Sequence, residues 1–323
     1  MLLVTGAAGF IGSNLVRFLN RARRDDLILV DDLADGRKCA NLSGLSFADY
    51  LDRDELLAGI DRLPALTGIL HQGACVDTTA GDGRAVMRDN YTFSKTLLEL
   101  ARRQRCPFIY ASSAAVYGDG AAGFREETAC ERARTPYAFS KWAFDQFVRR
   151  QGGNAGVPVV GLRYFNVYGP GEGHKGRMAS VAWHCFVAIR EGRAPRLFAG
   201  SEGFVRDFIS VDDVAAVNLH FLAESAAGRD RSGIYNVGTG VPRSFADMGR
   251  IASEVSGGPP PEVIPFPDDL RGQYQAYTCA DLTRLRASGW TGRFGTLEEG
   301  LASYWRAIHG EQALAPRPAA PQG

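Results

Sequence analysis

The sequence has almost no surplus of charge: 37 Lys and Arg stand against 36 Asp and Glu, a formal net charge of +1. A chain without a basic field has little to hold a nucleic-acid backbone or an anionic membrane surface, so a small molecule is the expected partner, with no nucleic acid and no membrane. Paired cysteines are missing as well. The six present, Cys39, Cys75, Cys106, Cys130, Cys185 and Cys279, form no CxxC and no regular spacing, which argues against a zinc site or a disulfide framework and for reduced thiols. No metal is expected. No apolar run reaches the roughly 20 residues of a membrane span, and from Met1 the chain enters a strand-like run with no leader-like segment before it. The expectation is a soluble, cytoplasmic protein.

What is present is alternation. Leu2–Thr5, Leu27–Asp31, Gly68–His71, Phe108–Ser112 and Val157–Arg163 read as strands, and the stretches Ile11–Arg21, Arg84–Arg103 and Pro136–Arg150 between them read as amphipathic helices. Strands alternating with long helices imply βαβ units and a parallel sheet. The expected fold class is therefore α/β, a Rossmann-type doubly wound parallel sheet with a second, smaller α/β substrate lobe. Residues 1–167 form the dinucleotide-binding domain, and 210–238, with a helix over Val211–Glu224 and a strand over Ile234–Val237, return to it. Residues 168–209, with a helix over Ala179–Glu191, and 239–312 form the lobe; 313–323, rich in Pro and Ala, is expected to be a disordered tail.

The run Thr5-Gly6-Ala7-Ala8-Gly9-Phe10-Ile11-Gly12 lies between the first strand and the first helix. Gly6, Gly9 and Gly12 suit a tight turn, a close approach of backbone to a diphosphate, and a helix packed near its strand. The spacing is GxxGxxG, and its context strengthens it: Asp31 and Asp32 end the second strand, where an acidic residue meets the adenosine ribose. Asp31 selects for NAD, whereas Arg37, Lys38 and Arg53 nearby can neutralise a 2′-phosphate. Both NAD and NADP remain open on these residues alone.

Tyr137 and Lys141 stand four apart, on one face of a helix. A neighbouring ammonium and a ribose hydroxyl are expected to lower the phenol's proton affinity, so that Tyr137 exchanges a proton with a substrate hydroxyl. Ser113 ends the fourth expected strand, where parallel sheets bind ligands, and can hydrogen-bond the reacting oxygen. Together the three point to hydride-transfer chemistry.

These residues, with Arg163-Tyr164-Phe165-Asn166-Val167-Tyr168-Gly169-Pro170, resemble the extended short-chain dehydrogenase/reductase family of nucleotide-sugar epimerases and dehydratases, over nearly the whole chain. Further stretches sharpen the likeness: Asp32–Lys38, His71–Cys75, Phe198–Ser201, Arg206-Asp207-Phe208, Pro265–Pro267, Tyr274–Thr278 and, most specific, Gly173-His174-Lys175-Gly176-Arg177-Met178-Ala179-Ser180-Val181-Ala182. The resemblance implies an epimerase of an ADP-linked heptose using tightly bound NADP, assembled as a homopentamer. It implies that Phe10, Ile11, Asp31, Asp32, Lys38, Arg53, Gln72, Gly73, Ala74, Cys75, Val76, Asn90, Lys141, Val167 and Lys175 line the dinucleotide. Ser113, Asn166, Arg177, His184, Phe198, Ala199, Gly200, Ser201, Arg206 and Tyr274 line the sugar nucleotide. Tyr137 and Lys175 serve as the two acid/base groups, with Ser113 and Lys141 completing the catalytic set. Arg53, Gln72, Val76 and Arg177 depart from the family's usual Lys, Glu, Ser and Ser.

Other readings remain. His71 and His174 suit packing, and Arg206-Asp207 suits an ion pair as well as a diphosphate contact. A UDP-hexose 4-epimerase is an alternative. A dehydratase is disfavoured because Ala114-Ala115, not an acidic pair, follow Ser113. A non-catalytic dinucleotide sensor is disfavoured because Tyr137, Lys141, Ser113 and Lys175 are all retained.

Overall fold

Strands β1 (Leu2–Thr5) and β2 (Leu27–Asp31) are buried along their whole length, as a parallel strand covered on both faces requires. The computed structural model describes residues 1–75, 82–152, 156–266 and 276–313. In chain order, α1 (Phe10–Arg21) separates β1 from β2, and α2 (Cys39–Leu42), β3 (Asp49–Asp52), α3 (Arg53–Gly59) and β4 (Gly68–His71) follow. Then come α4 (Gly83–Met87), α5 (Phe93–Gln104), β5 (Phe108–Ser113), α6 (Pro136–Gln151) and β6 (Val159–Tyr164). β7 (Asn166–Tyr168), α7 (Val181–Arg190), β8 (Arg196–Phe198), β9 (Val205–Arg206) and β10 (Phe208–Ser210) lead to α8 (Val211–Ala226) and β11 (Gly233–Val237). The remaining elements are β12 (Arg243–Ser244), α9 (Phe245–Ser256), β13 (Glu262–Ile264), α10 (Thr283–Ala287) and α11 (Leu297–Ala313).

Seven strands form one parallel sheet in the order β11-β6-β5-β4-β1-β2-β3. The order reverses between β1 and β4, which opens a crevice beyond their C-terminal ends. The loops after Thr5 and His71 both begin there. Alternate side chains serve opposite faces: Leu2 and Val4 pack with Leu15, Val16, Val214 and Phe221 of α1 and α8, while Leu3 packs with Leu97, Leu98 and Phe144 of α5 and α6. The seven-stranded sheet flanked by helices is the Rossmann-type α/β arrangement expected from the sequence.

Three small sheets, β10-β7, β12-β9 and β13-β8, accompany α7, α9 and α11. Cys185, Phe186, Met248, Ile251, Leu301 and Tyr304 of these helices form a separate core. Serine caps open several helices: Ser180, Ser210 and Ser244 accept from Trp183, Asp213 and Asp247 N–H, and Thr135 caps α6 with Pro136 behind it.

Some expectations need correction. The helix expected over Arg84–Arg103 is present, running from Gly83 to Gln104 with a π-turn at Arg88–Thr92 that the sequence does not announce, and the buried Asn90 of that turn bonds the loop after β4. The sixth strand begins at Val159 because Pro158 has no N–H for the ladder. Ala313, placed in the tail, instead ends α11. The rest of that tail, 314–323, lies outside the described residues, as do Val76, Pro267 and Tyr274. Among the described residues no helix is long and apolar enough to cross a membrane, and no cluster of His, Cys, Asp and Glu could hold a metal.

Candidate active site

The glycine loop fits a dinucleotide. Gly6 has φ +65°, and a Cβ there would stand 2.5 Å from Gly73 N, so the loops after β1 and β4 touch backbone to backbone. A Cβ on Gly12 would collide with the Gly6 carbonyl, which sets α1 hard against the loop. α1 opens on Gly9 with no side-chain cap, and an uncapped helix start is where a diphosphate is expected to bind. Phe10 is buried and Ile11 half-buried in that first turn. Gly6→Ala should weaken dinucleotide binding about tenfold or more, because φ and space both oppose a methyl group; titration with NAD and NADP reads this directly, and parental affinity would show that the loop tolerates the shift.

The end of β2 carries a small charge cluster. Asp31 Oδ2 accepts from Ala8 N at 2.7 Å and Gly9 N at 3.1 Å, and its Oδ1 accepts from Asp32 N at 2.7 Å and Lys38 Nζ at 2.7 Å. Lys38 also donates to the Asp32 carbonyl. The ammonium that the sequence offers to a phosphate is therefore held against Asp31. Arg37 pairs with Asp35, which that guanidinium holds down to about 2. Asp52 of β3 pairs in register with Asp31, so Arg53 follows beside the end of β2, where its guanidinium meets Asp89 at 3.0 Å and Asp54 at 3.3 Å.

After β4, Asn90 accepts from Cys75 N at 2.7 Å and donates to Cys75 O at 3.0 Å, clamping that loop. Gln72 is drawn into the protein, bonded to Asn218 and to the Tyr164 hydroxyl. Gly73 N–H donates to Thr5 Oγ1, and Ala74 lies half-buried beside it. His71 bonds Thr5 and Ser94, and burial pushes it down to about 3, which fits packing.

The structure brings Tyr137, Lys141 and Ser113 together. Ser113 faces the Tyr137 hydroxyl closely enough to favour its ionised form, and Lys141 Nζ lies 6.0 Å from the Tyr137 ring centre while donating to Ala111 O at 2.8 Å. Ser113 Oγ also accepts from Ala115 N. Burial pulls Lys141 down to about 8, against the opposing charge of Asp145. Tyr137 departs from expectation. Burial raises its proton affinity, and Ser113 only partly reverses this, because desolvation penalises the phenolate.

Lys175 is not a freely solvated loop lysine. Its ammonium lies 5.2 Å from the centre of the Phe10 ring and 3.9 Å from Glu172, and burial lowers its proton affinity. Glu172 is fully buried and accepts from Ser180 N and Oγ at 2.6 Å and from the Tyr304 hydroxyl at 3.2 Å. Asn41 joins the two sides, donating to Ala8 O and Gly171 O and meeting His174. The Lys175 loop thus docks on the mouth of the glycine loop.

The remaining candidates spread over the lobe. Asn166 is exposed and accepts from Thr278, and Val167 pairs with Ile209. Arg177 and His184 are exposed. Phe198 packs on Phe266, Ala199 N bonds Ile264 O, Gly200 is exposed with φ +84°, and Ser201 is buried. Arg206 is buried over the Phe245 ring, and Asp207 accepts from Thr239, Gly240 and Ala280, which is a loop anchor and not the ion pair considered from sequence. The sequence assigns no role to Asn41, to Asp145 or to Glu172, which opens the diagnostic stretch Glu172–Ala182. Asp145 carried a signal, since it continues the four-residue spacing of Tyr137 and Lys141.

Residues 2–238 match the family described as the NAD dependent epimerase/dehydratase family. Among solved structures, an ADP-L-glycero-D-manno-heptose-6-epimerase of Helicobacter pylori is 29% identical, with 95% of this chain and 96% of that chain covered at a TM-score of 0.80. A UDP-glucose 4-epimerase of Thermotoga maritima with UDP-glucose is 26% identical, with coverage of 96% and 99% and the same TM-score of 0.80. A UDP-glucose 4-epimerase of Thermus thermophilus in complex with NAD is 30% identical, with coverage of 96% and 99% at 0.75.

Proposed function

Since this chain belongs to the NAD-dependent epimerase/dehydratase family, we propose that it inverts C6 of ADP-D-glycero-β-D-manno-heptose to give the L-glycero epimer. Family and fold support the coarser statement, a nucleotide-sugar epimerase with a nicotinamide cofactor. The observation that carries the finer one is Lys175, whose ammonium lies over Phe10 at the glycine loop. With Tyr137 it supplies two proton-handling groups, which an epimerisation through a ketone needs, one for each presented face.

When bound, the nicotinamide supplies reversible oxidation of the C6 alcohol. Tyr137 or Lys175 takes the hydroxyl proton, Ser113 hydrogen-bonds the oxygen as it becomes a carbonyl, and Lys141 holds a positive charge beside the phenol. The 6-keto sugar turns about its exocyclic bond, and the other group returns a proton to the same oxygen on the opposite face. No net redox change results. Asn166, Arg177, His184, Phe198–Ser201, Arg206 and Tyr274 hold the ADP-sugar in this reading. The product serves as the heptose donor of the lipopolysaccharide inner core, and the assembly is a homopentamer. A UDP-hexose 4-epimerase is the second reading, favoured by the equal TM-score of the Thermotoga enzyme. Incubation with ADP-heptose and UDP-glucose, followed by NMR of the products, separates the two: inversion at C6 of the first supports the proposal, and inversion at C4 of the second alone refutes it.

The cofactor is NADP in this proposal. Lys38 at 2.7 Å from Asp31 cancels the charge that would repel a 2′-phosphate. Lys38→Ala leaves that carboxylate uncompensated, so affinity for NADP relative to NAD should fall about tenfold or more. Equal binding of both cofactors by the parent would remove Lys38 from the selection.

A further inference from the structure

Behind Tyr137 and Lys141 lies a charged cluster that the proposed reaction does not use. Asp145 is fully buried on α6, one turn beyond Lys141. Its Oδ1 accepts the Tyr110 hydroxyl at 2.9 Å and its Oδ2 accepts Ser112 Oγ at 3.0 Å, both from β5. Arg163 of β6, also fully buried, donates to the same Oδ2 at 2.9 and 2.7 Å. Arg163 further meets Glu131 and the Tyr117 hydroxyl, and Arg149 meets Glu131 from α6. A carboxylate survives such burial only when its partners satisfy it. Here they come from the two strands next to the site.

Residues 137, 141 and 145 share one face of α6, and each grips the sheet. Tyr137 meets Ser113, Lys141 meets Ala111 O, and Asp145 meets Tyr110 and Ser112. The last rung is locked to β6 by an ion pair. A slip of one residue along the helix is about 1.5 Å, and a misplacement of about 1 Å can cost on the order of 10²-fold in rate.

We propose that Asp145 is a positioning residue: by gripping β5 and Arg163 it sets the register of α6, and so the approach of Tyr137 and Lys141 to Ser113. This rests on the Tyr/Lys/Ser chemistry of the proposed function, not on the identity of the sugar. The carboxylate also faces Lys141 electrostatically and opposes the fall that burial imposes. Facing Lys141 besides Asp145 are Tyr137 on its own helix and His71 on β4, with Cys75 beside Tyr137.

Two variants test the two parts. Tyr110→Phe/Ser112→Ala removes both β5 bonds but keeps the Asp145–Arg163 pair, so kcat should fall about tenfold or more with KM within about twofold. Asp145→Asn removes the charge, so kcat should fall further and Lys141 should titrate at lower pH than in the parent. The chain has four lysines, Lys38, Lys95, Lys141 and Lys175. NMR of lysine labelled at the ε-carbon therefore resolves Lys141, assigned by its loss in Lys141→Met. This titration needs no sugar and still decides if the parent turns over no nucleotide sugar. Parental kcat in the double variant overturns the register role, and does so even if Asp145→Asn fails to fold. An unmoved Lys141 titration in folded Asp145→Asn overturns the electrostatic part.

Discussion

Lys175→Met should leave a folded, cofactor-binding protein whose epimerisation is slower by about 10²–10⁴-fold in both directions. The methionine keeps the stem that packs toward Phe10 while deleting the ammonium. Glu172 loses a neighbour at 3.9 Å but keeps its bonds from Ser180 and Tyr304, so the buried carboxylate stays satisfied and the fold survives. Both directions fail because a reversible reaction uses each proton carrier in each direction. Tyr137 still serves one face, so an analogue with an aldehyde at C6 keeps partial oxidation or reduction. Product NMR started from either epimer measures the loss, and parental turnover would reduce Lys175 to a docking residue of its loop.

Tyr137→Phe should lower the rate by about 10²-fold or more and spare cofactor binding, since Lys141, which the proposal places on the dinucleotide, is unchanged. The phenyl ring refills the partly buried position and gives up the hydroxyl that faces Ser113. The pH dependence of the parent tests the same pair. Burial draws Lys141 down to about 8, so its charged form, which favours the phenolate, is present below that value and lost above it. The rate should therefore decline as pH rises through about 8, well below the ordinary lysine range. A rate flat to pH 10, or a Phe variant at the parental rate, contradicts this assignment.

The central sheet was legible because its strands are short apolar runs bounded by glycine, charge and proline, and because helices of ten or more residues separate them. The strands that escaped are different. β3 is the polar edge segment Asp49–Asp52, partly exposed, with no alternation of apolar and polar residues to announce it, and the lobe strands are two or three residues long. Such elements are specified by their neighbours and not by their own pattern. The Arg84–Arg103 helix is legible because the sequence there stays amphipathic, whereas the π-turn within it, where Asn90 bonds Cys75 across the chain, has no local signal.

At the site, local spacing carried the most. Gly6, Gly9 and Gly12, the Tyr137–Lys141 pair and Ser113 follow from positions near one another in sequence or at strand ends. What spacing could not supply was who neutralises whom. Lys38 is engaged by Asp31, Arg53 by Asp89, and Gln72 by Tyr164 and Asn218, and none of these pairings is set by sequence distance. The lowered proton affinity expected for Tyr137 rests on the Lys141 ammonium together with a ribose hydroxyl, whereas burial raises it in the protein alone.

The central claim, inversion at C6 through a transient ketone, is tested most directly with ADP-D-glycero-β-D-manno-heptose carrying deuterium at C6, followed by NMR in ordinary water. The account predicts that the L-glycero epimer appears with deuterium retained at C6, because a nicotinamide held in this site would supply both oxidation and reduction without release of the label to water. Substrate recovered unchanged, or an epimer whose C6 position has exchanged with solvent, would contradict it.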